Sequence, residues 1–345
     1  MGMRVAVLMG AAGAAGEGAG EGAHEGEGAQ EGAGATSAAD LEREFSHLCG
    51  QSVCAALEEA EHEALPLELD GDLAPRLREL RPDVAYIAVP GRLGQDGSIQ
   101  ELLEFLDIPF VGAPSSVCRE AWDAGSLPTT MASYRAITGD APIAAYPRSI
   151  CLSREAFDGL GAAAALDLVE ERVPGAYPVA VKPARGGSQL CTLRVDAVDQ
   201  LREAIVQVLR LDDRVIVEQW VEGVELTVPI LGSGWDAYAL PPVELAVEGE
   251  SLVYHTPVRA GSLAVDESEA QAIREEIERA ALEVYRAYGL CDLASIDLVW
   301  DGARASVYHV NVAPSMVEGS PFPESCAAAG LSLPAVLNEL VGLYA

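Results

Sequence analysis

The sequence holds almost no lysine: its 345 residues include 21 arginines but a single lysine, Lys182. It also lacks positive charge overall, with 54 Asp and Glu against 22 Lys and Arg and a formal net charge of -32. Phosphate backbones and anionic membrane surfaces are bound through clustered cations, so no nucleic acid and no membrane is expected as a partner. No apolar run reaches the ~18 residues of a spanning helix. The seven cysteines include no C-x-x-C pair, and an odd, scattered set suits reduced thiols in a cytoplasmic protein better than a disulfide framework.

What remains is apolar enough to fold. Half of the residues are hydrophobic, and the length suffices for a large core divided among lobes. Residues 11–38 are Gly, Ala and Glu with little else; they cannot bury enough surface to offset their ordering and read as a flexible insertion. The segment Arg4–Met9 reads as a buried first strand rather than as the core of a secretion signal. After the insertion come a helix opening near Asp40, a strand at Ala64–Leu67, a helix at Leu73–Leu80, a strand at Val84–Val89, a helix at Ser98–Leu106 and a strand near Pro109–Val111. Such alternation predicts a parallel sheet with helices on its faces. From 113 to 218 the pattern changes to two helices, then strands around a helix at Ser153–Ala165, and from 219 to 345 strands dominate around a long helix at Glu267–Gly289. The expected organisation is an open parallel α/β domain (1–112), a small α+β lobe (113–218) and a larger mixed lobe (219–345).

Three constellations carry chemistry. Lys182 ends the apolar strand Val179–Val181 and opens K-P-A-R-G-G-S, where glycines let backbone N–H groups approach phosphate oxygens and the ammonium supplies a point charge. This is not the G-x-x-x-x-G-K-[ST] phosphate loop, and a bare glycine hairpin is the alternative. In VIVEQWVEGVELTV, Glu218 and Glu225 flank a tight turn; carboxylates at strand ends accept hydrogen bonds from an adenine amine or ribose hydroxyls, unless this is only a solvated loop. Asp297 lies on one strand, and His309 and Asn311, two apart on the next, share a face. Together they can hold a divalent cation beside phosphates, although imidazole is an unusual ligand for Mg²⁺; the alternative is a pair of satisfied strand polars.

These motifs, in this order, resemble the D-alanine–D-alanine ligase family of the ATP-grasp superfamily. RVAVLMG…LEREFSHLCG is similar to its opening strand and E-R-E-V-S helix, and VPGRLGQDGSIQELLEFLDIPFVGA to its H-G-x-x-G-E-D-G-x-x-Q-G segment. VAVKPARGGSQL, VIVEQWVEGVELTVPIL and SIDLVW…VNVAPSM resemble V-K-P-x-x-E-G-S-S, I-E-x-x-I-x-G-x-E-x-x-V-x-V-L and R-x-D…E-x-N-T-x-P-G-M. The resemblance implies an ATP-grasp architecture, a cytoplasmic homodimer, ATP with Mg²⁺ or Mn²⁺ as cofactors, D-alanine as substrate, and a place in peptidoglycan precursor synthesis. It puts Lys182 on the nucleotide phosphates with Ser188 in the loop above them. Glu218, Gln219 and Val221 take the adenine, Glu225 the ribose, and Asp297, His309 and Asn311 the metal. Glu42 holds the amino group of the first D-alanine, while Ser315 and Ser320 face the carboxylate of the second.

The chain departs from that pattern at several places. His309 stands at the family's metal-bridging glutamate, Ser295 at an arginine that stabilises the oxyanion, Ala124 at a second phosphate-binding lysine, and Pro90 at the histidine of H-G. Pro257 and Val258 replace a K-Y pair, which leaves Arg259 as the stand-in catalytic cation. Loss of one oxyanion donor typically costs ~10²–10³ in rate. Two alternatives therefore stand beside the ligase: a nucleotide-binding or regulatory protein without turnover, and a ligase with a different acceptor. If the Gly/Glu-rich segment is only a linker, deletion of Ala12–Gly34 leaves the melting temperature nearly unchanged; calorimetry checks this, and a large drop means that the segment packs on the fold.

Overall fold

The computed structural model describes residues 2–10, 38–173, 177–186, 192–248, 251–256, 258–259 and 261–345. Ser188 and Pro257, singled out above, lie outside them. In the first lobe helices return the chain to the same sheet edge, so strands pair in parallel. Strand β1 (Arg4–Met9) has five fully buried residues and is central, between β2 (Glu63–Glu68) and β3 (Val84–Ile87). Helices α1 (Ala38–Glu59), α2 (Leu73–Leu80) and α3 (Ser98–Phe105) flank it. The strand expected near Pro109–Val111 reduces to one parallel bridge between Phe110 and Ala85, because Gly112 at φ 118° turns the chain away.

Helices α4 (Ser115–Trp122) and α5 (Leu127–Thr138) follow, then a second sheet. Its strands β4 (Ser149–Ser153), β5 (Val179–Pro183), β6 (Leu193–Val195) and β7 (Arg214–Gln219) are antiparallel in the order β4-β7-β5-β6. The helix expected at 153–165 is instead two, α6 (Arg154–Leu160) and α7 (Ala162–Arg172), parted by Gly161 at φ 79°; α8 (Val198–Val208) completes the lobe.

The third sheet contains β8 (Val224–Leu231), β9 (Tyr238–Ala239), β10 (Val243–Glu248) and β11 (Ser251–His255), followed by helix α9 (Glu267–Tyr288). Strands β12 (Leu293–Trp300) and β13 (Ala305–Asn311) complete the order β11-β10-β8-β12-β13, with β9 on β8. Pro241 and Pro242 cut the single strand expected over 237–247 into β9 and β10, since proline has no N–H for a ladder. Helices α10 (Pro321–Ala328) and α11 (Leu333–Gly342) end the chain; α10 was not expected.

Apolar packing crosses the linear order. Cys118, Leu127 and Met131 of α4 and α5 share a core with α9 and the third sheet, while Leu337 and Val341 of α11 join Val53 and Leu57 of α1. No single helix among the described residues is long and apolar enough to cross a membrane.

Buried acids fix these contacts. Glu283 of α9, with a side chain 6% exposed, accepts from Arg135 of α5 at 2.7 Å and from the N–H groups of Ile143 and Ala144 at 3.0 and 2.7 Å. Burial pushes its carboxyl up, but Arg135 and the two N–H donors outweigh burial and hold it below the usual carboxylate range. Asp292, buried at φ 63°, accepts from Gly112 N–H at 2.8 Å and from the Tyr344 hydroxyl at 2.5 Å, and so ties the first lobe and the C-terminal residues to the third sheet.

Replacing Glu283 strands a buried guanidinium and two N–H groups. Glu283→Ala should therefore lower unfolding free energy by about 3–5 kcal/mol at pH 7, measured by urea denaturation. Because the folded-state pKa is depressed, this contribution is present above the unfolded value near 4.3 and is lost as pH falls through the folded one. The gap between wild type and variant accordingly closes in acid.

Candidate active site

The third sheet has an apolar face and a polar face. Along β8 and β12 every second residue (Leu226, Val228, Ile230, Ile296, Leu298) is buried beneath α9, so the alternate residues Glu225, Thr227, Ser295 and Asp297 stand on the opposite face. The second sheet closes over part of that face. Between the two runs a cleft of about 970 Å³ including its mouth. Lys182, Glu218, Gln219 and Val221 line one wall, and Glu225, Tyr308 and His309 the other.

Lys182 is the only Lys or Arg among the described residues lining the cleft. Its ammonium lies 2.6 Å from Glu218 Oε1, both side chains being 12% exposed, and donates to the Tyr308 carbonyl at 3.2 Å. The strand register explains the pair: Ala180 is opposite Glu218, so Lys182, two residues along the same face of β5, meets Glu218 diagonally. The Tyr308 ring is 5.8 Å from the ammonium. Arg185, three residues on, turns away and is held by Asp212 at 2.6 Å and by Asp213.

Asp297 and His309 are cross-strand partners, with His309 Nδ1 2.9 Å from Asp297 Oδ2 and both side chains 18% exposed. The register shifts at Asp297/Leu298: Leu298 pairs with Val307 and Asp297 with His309, leaving Tyr308 as the bulged residue. Both Tyr308 and His309 thereby reach the cleft. Burial and, next, the charge of Asp297 push the Glu225 carboxyl up, and the same two causes raise the Tyr254 hydroxyl. Asn311 Oδ1 accepts from Gln95 Nε2 at 2.7 Å and from Ala313 N–H at 3.1 Å.

This donor set does not fit Mg²⁺. That ion takes near-octahedral oxygen ligands, but Asp297 is turned to an imidazole and the Asn311 oxygen already accepts from two donors. Among the described residues no three His, Cys, Asp or Glu side chains converge on a metal position.

Glu42, Arg259, Ser315 and Ser320 are not among the described residues that line the cleft. Arg259 is held by Glu244 through contacts of 2.9 and 3.2 Å, with Ser262 on the same carboxylate at 2.6 Å. Those donors together outweigh the burial of Glu244 and lower its carboxyl pKa. Ser320 is the N-cap residue of α10, but its hydroxyl donates backwards, to the Val317 carbonyl at 2.6 Å and to that of Ser315 at 3.0 Å. Met316 N–H reaches Cys49 Sγ at 3.4 Å, which sets Ser315 and Ser320 beside α1, the helix bearing exposed Glu42. Ala124 lines the cleft, and Ser295 is buried opposite Asn311.

Sequence reasoning missed Tyr308, Gln95 and Trp220. Trp220 lines the cleft with Arg194 5.0 Å from its ring. The one sequence signal for it is its place between Gln219 and Val221.

A family model described as the D-ala D-ala ligase C-terminus matches residues 157–342. The D-alanine–D-alanine ligase of Desulforudis audaxviator is 32% identical over 306 residues, 88% of this chain and 94% of that protein. That of Aquifex aeolicus is 29% identical over 301 residues, covering 87% and 96%. The crystal structure of D-alanine–D-alanine ligase from Bacillus anthracis complexed with ATP superposes with a TM-score of 0.69 at 22% identity, over 99% of this chain and 97% of that one. The VanG D-Ala:D-Ser ligase of Enterococcus faecalis gives 0.72 at 18% identity, covering both chains fully. With its ATP-grasp architecture, a family match over more than half its length and a relative above 30% identity, this chain belongs to the D-alanine–D-alanine ligase family.

Proposed function

We propose that the protein is an ATP-dependent carboxylate–amine ligase that joins two D-alanines for peptidoglycan precursor synthesis, working in the cytoplasm as a homodimer. One observation carries this reading: Lys182, Glu218, Gln219, Val221 and Glu225, drawn from two sheets, line one cleft.

In that cleft Lys182 neutralises the nucleotide phosphates, exchanging the Tyr308 carbonyl for a phosphate oxygen. Glu218 accepts from the adenine amine, with Gln219 and Val221 along the base edge, and half-buried Glu225 accepts from a ribose hydroxyl. Glu42 takes the ammonium group of the first D-alanine. Ser320, at the N-terminus of α10, takes the carboxylate of the second at the positive end of the helix dipole, with Ser315 beside it. The γ-phosphoryl group passes to the first carboxylate, giving an acyl phosphate and ADP. The amine of the second D-alanine then attacks the acyl carbon, the C–N bond forms and phosphate leaves. Arg259 is the cation that faces the developing oxyanion once it exchanges Glu244 for it. The family resemblance brings Mg²⁺ with ATP, but no step above is routed through a metal.

The single cation lining the cleft, with Ala124 and Ser295 adding none, favours a second reading: a nucleotide-binding protein without turnover, or a ligase for another acceptor. Mass spectrometry of the protein with metal-ATP and D-alanine separates these. ADP together with dipeptide is the expected result; ADP alone means a different acceptor, and neither product from folded protein means no turnover. For the nucleotide site itself, Lys182→Ala should weaken a non-hydrolysable ATP analogue by at least about 30-fold, the ~2 kcal/mol lower end for removing one partner of a buried charge pair. Arg185→Ala, whose guanidinium is already spent on Asp212 and Asp213, should change calorimetric affinity little; equal effects overturn the assignment of Lys182.

A further inference from the structure

Arg194 lies on the cleft side of the second sheet. In the β5–β6 register Ala180 is opposite Arg194 and Val181 opposite Leu193. Arg194 therefore shares a face with Ala180 and Lys182, which line the cleft, as does Thr192 two residues before it. The other face, with Val179, Val181 and Val195, is buried against Leu201 and Ile205 of α8. Because Ala180 is directly opposite Arg194, Lys182 is its diagonal neighbour on the cleft face, at a spacing of about 7–8 Å that long side chains bridge. The guanidinium group stacks 5.0 Å from the centre of the Trp220 ring, and Trp220 also lines the cleft.

What holds Arg194 in this position is weak. Its carboxylate partners, Glu222 at 2.8 Å and Asp196 at 3.0 Å, have side chains 72% and 64% exposed. Ion pairs so open to water contribute little, because solvent screens them and two long side chains must be ordered. Arg185 differs: it is held by Asp212, whose side chain is 4% exposed. A phosphate chain beside Lys182 would meet one cation among the described residues lining the cleft, in a protein of net charge -32.

We propose that Arg194 is a second phosphate-binding cation, whose guanidinium leaves Glu222 and Asp196 for the phosphate chain beside Lys182 when a nucleotide enters. Its paired N–H donors match phosphate oxygens, and the Glu222 carboxylate competes with the nucleotide for them. This inference rests on the reading of the cleft as a nucleotide site.

Calorimetry on the full chain with a non-hydrolysable ATP analogue tests it through three variants. Arg194→Ala should weaken binding about tenfold, the scale of one hydrogen bond to a charged group. Arg202→Ala removes the same charge from the exposed side of α8, behind the sheet, and should change affinity little. Glu222→Gln frees the guanidinium and should tighten binding, whereas a merely structural Arg194–Glu222 pair requires that this variant weaken it too. No loss in Arg194→Ala, an equal loss in Arg202→Ala, or unchanged or weaker binding by Glu222→Gln each overturns the proposal while leaving the nucleotide site intact. If folded wild type does not bind the analogue, the nucleotide reading fails and the assignment of Arg194 falls with it. Should Arg194→Ala fail to fold, Glu222→Gln decides alone.

Discussion

The pairing of β8 with β12 is the constraint on which the molecule turns. Eight residues of each strand are in register, from Leu293 opposite Leu231 to Trp300 opposite Val224. Their alternation gives α9 an apolar floor and gives the cleft its carboxylates. A slip by one residue would bury Glu225 and Asp297 beneath α9 and turn Leu226 and Leu298 into the cleft. Burial of two acids without partners costs far more than any single contact in the site supplies, so the register of the core and the placement of the polar face are one requirement.

Much of this was legible in the sequence, and the failures have physical causes. Period-two spacing alone places His309 and Asn311 on one face, and a strand ending in Lys182 reads correctly as interior. The bulge that brings Tyr308 into the cleft is silent, because neither glycine nor proline marks it. Helix α10 is hidden by Pro321 and Pro323, which read as loop although Pro321 sits in the first helical turn, where proline is tolerated. The anchoring role of Glu283 is invisible for a different reason: α9 carries five other acids, and sequence does not say which one faces Arg135. Arg259 looks like a free cation until Glu244, fifteen residues earlier, is seen beside it.

The charge balance is organised rather than diffuse. Arginines serve as structural clamps on buried or half-buried acids, as with Arg135 on Glu283 and Arg214 on Asp123, while buried Arg274 holds the Val258 carbonyl. Planar guanidinium groups suit these fixed, multiply bonded positions, whereas the compact ammonium of Lys182 is the cation at the cleft wall. Glu218 and the Tyr308 carbonyl hold it from two different sheets.

That economy gives the cleft a chemical address. An amine-directed reagent meets only one side-chain target in the sequence, and that target sits inside the pocket with 12% of its side chain exposed. Occupancy can thus be followed on the unmodified protein, as protection of a single side-chain acylation site against a background of arginines that do not react.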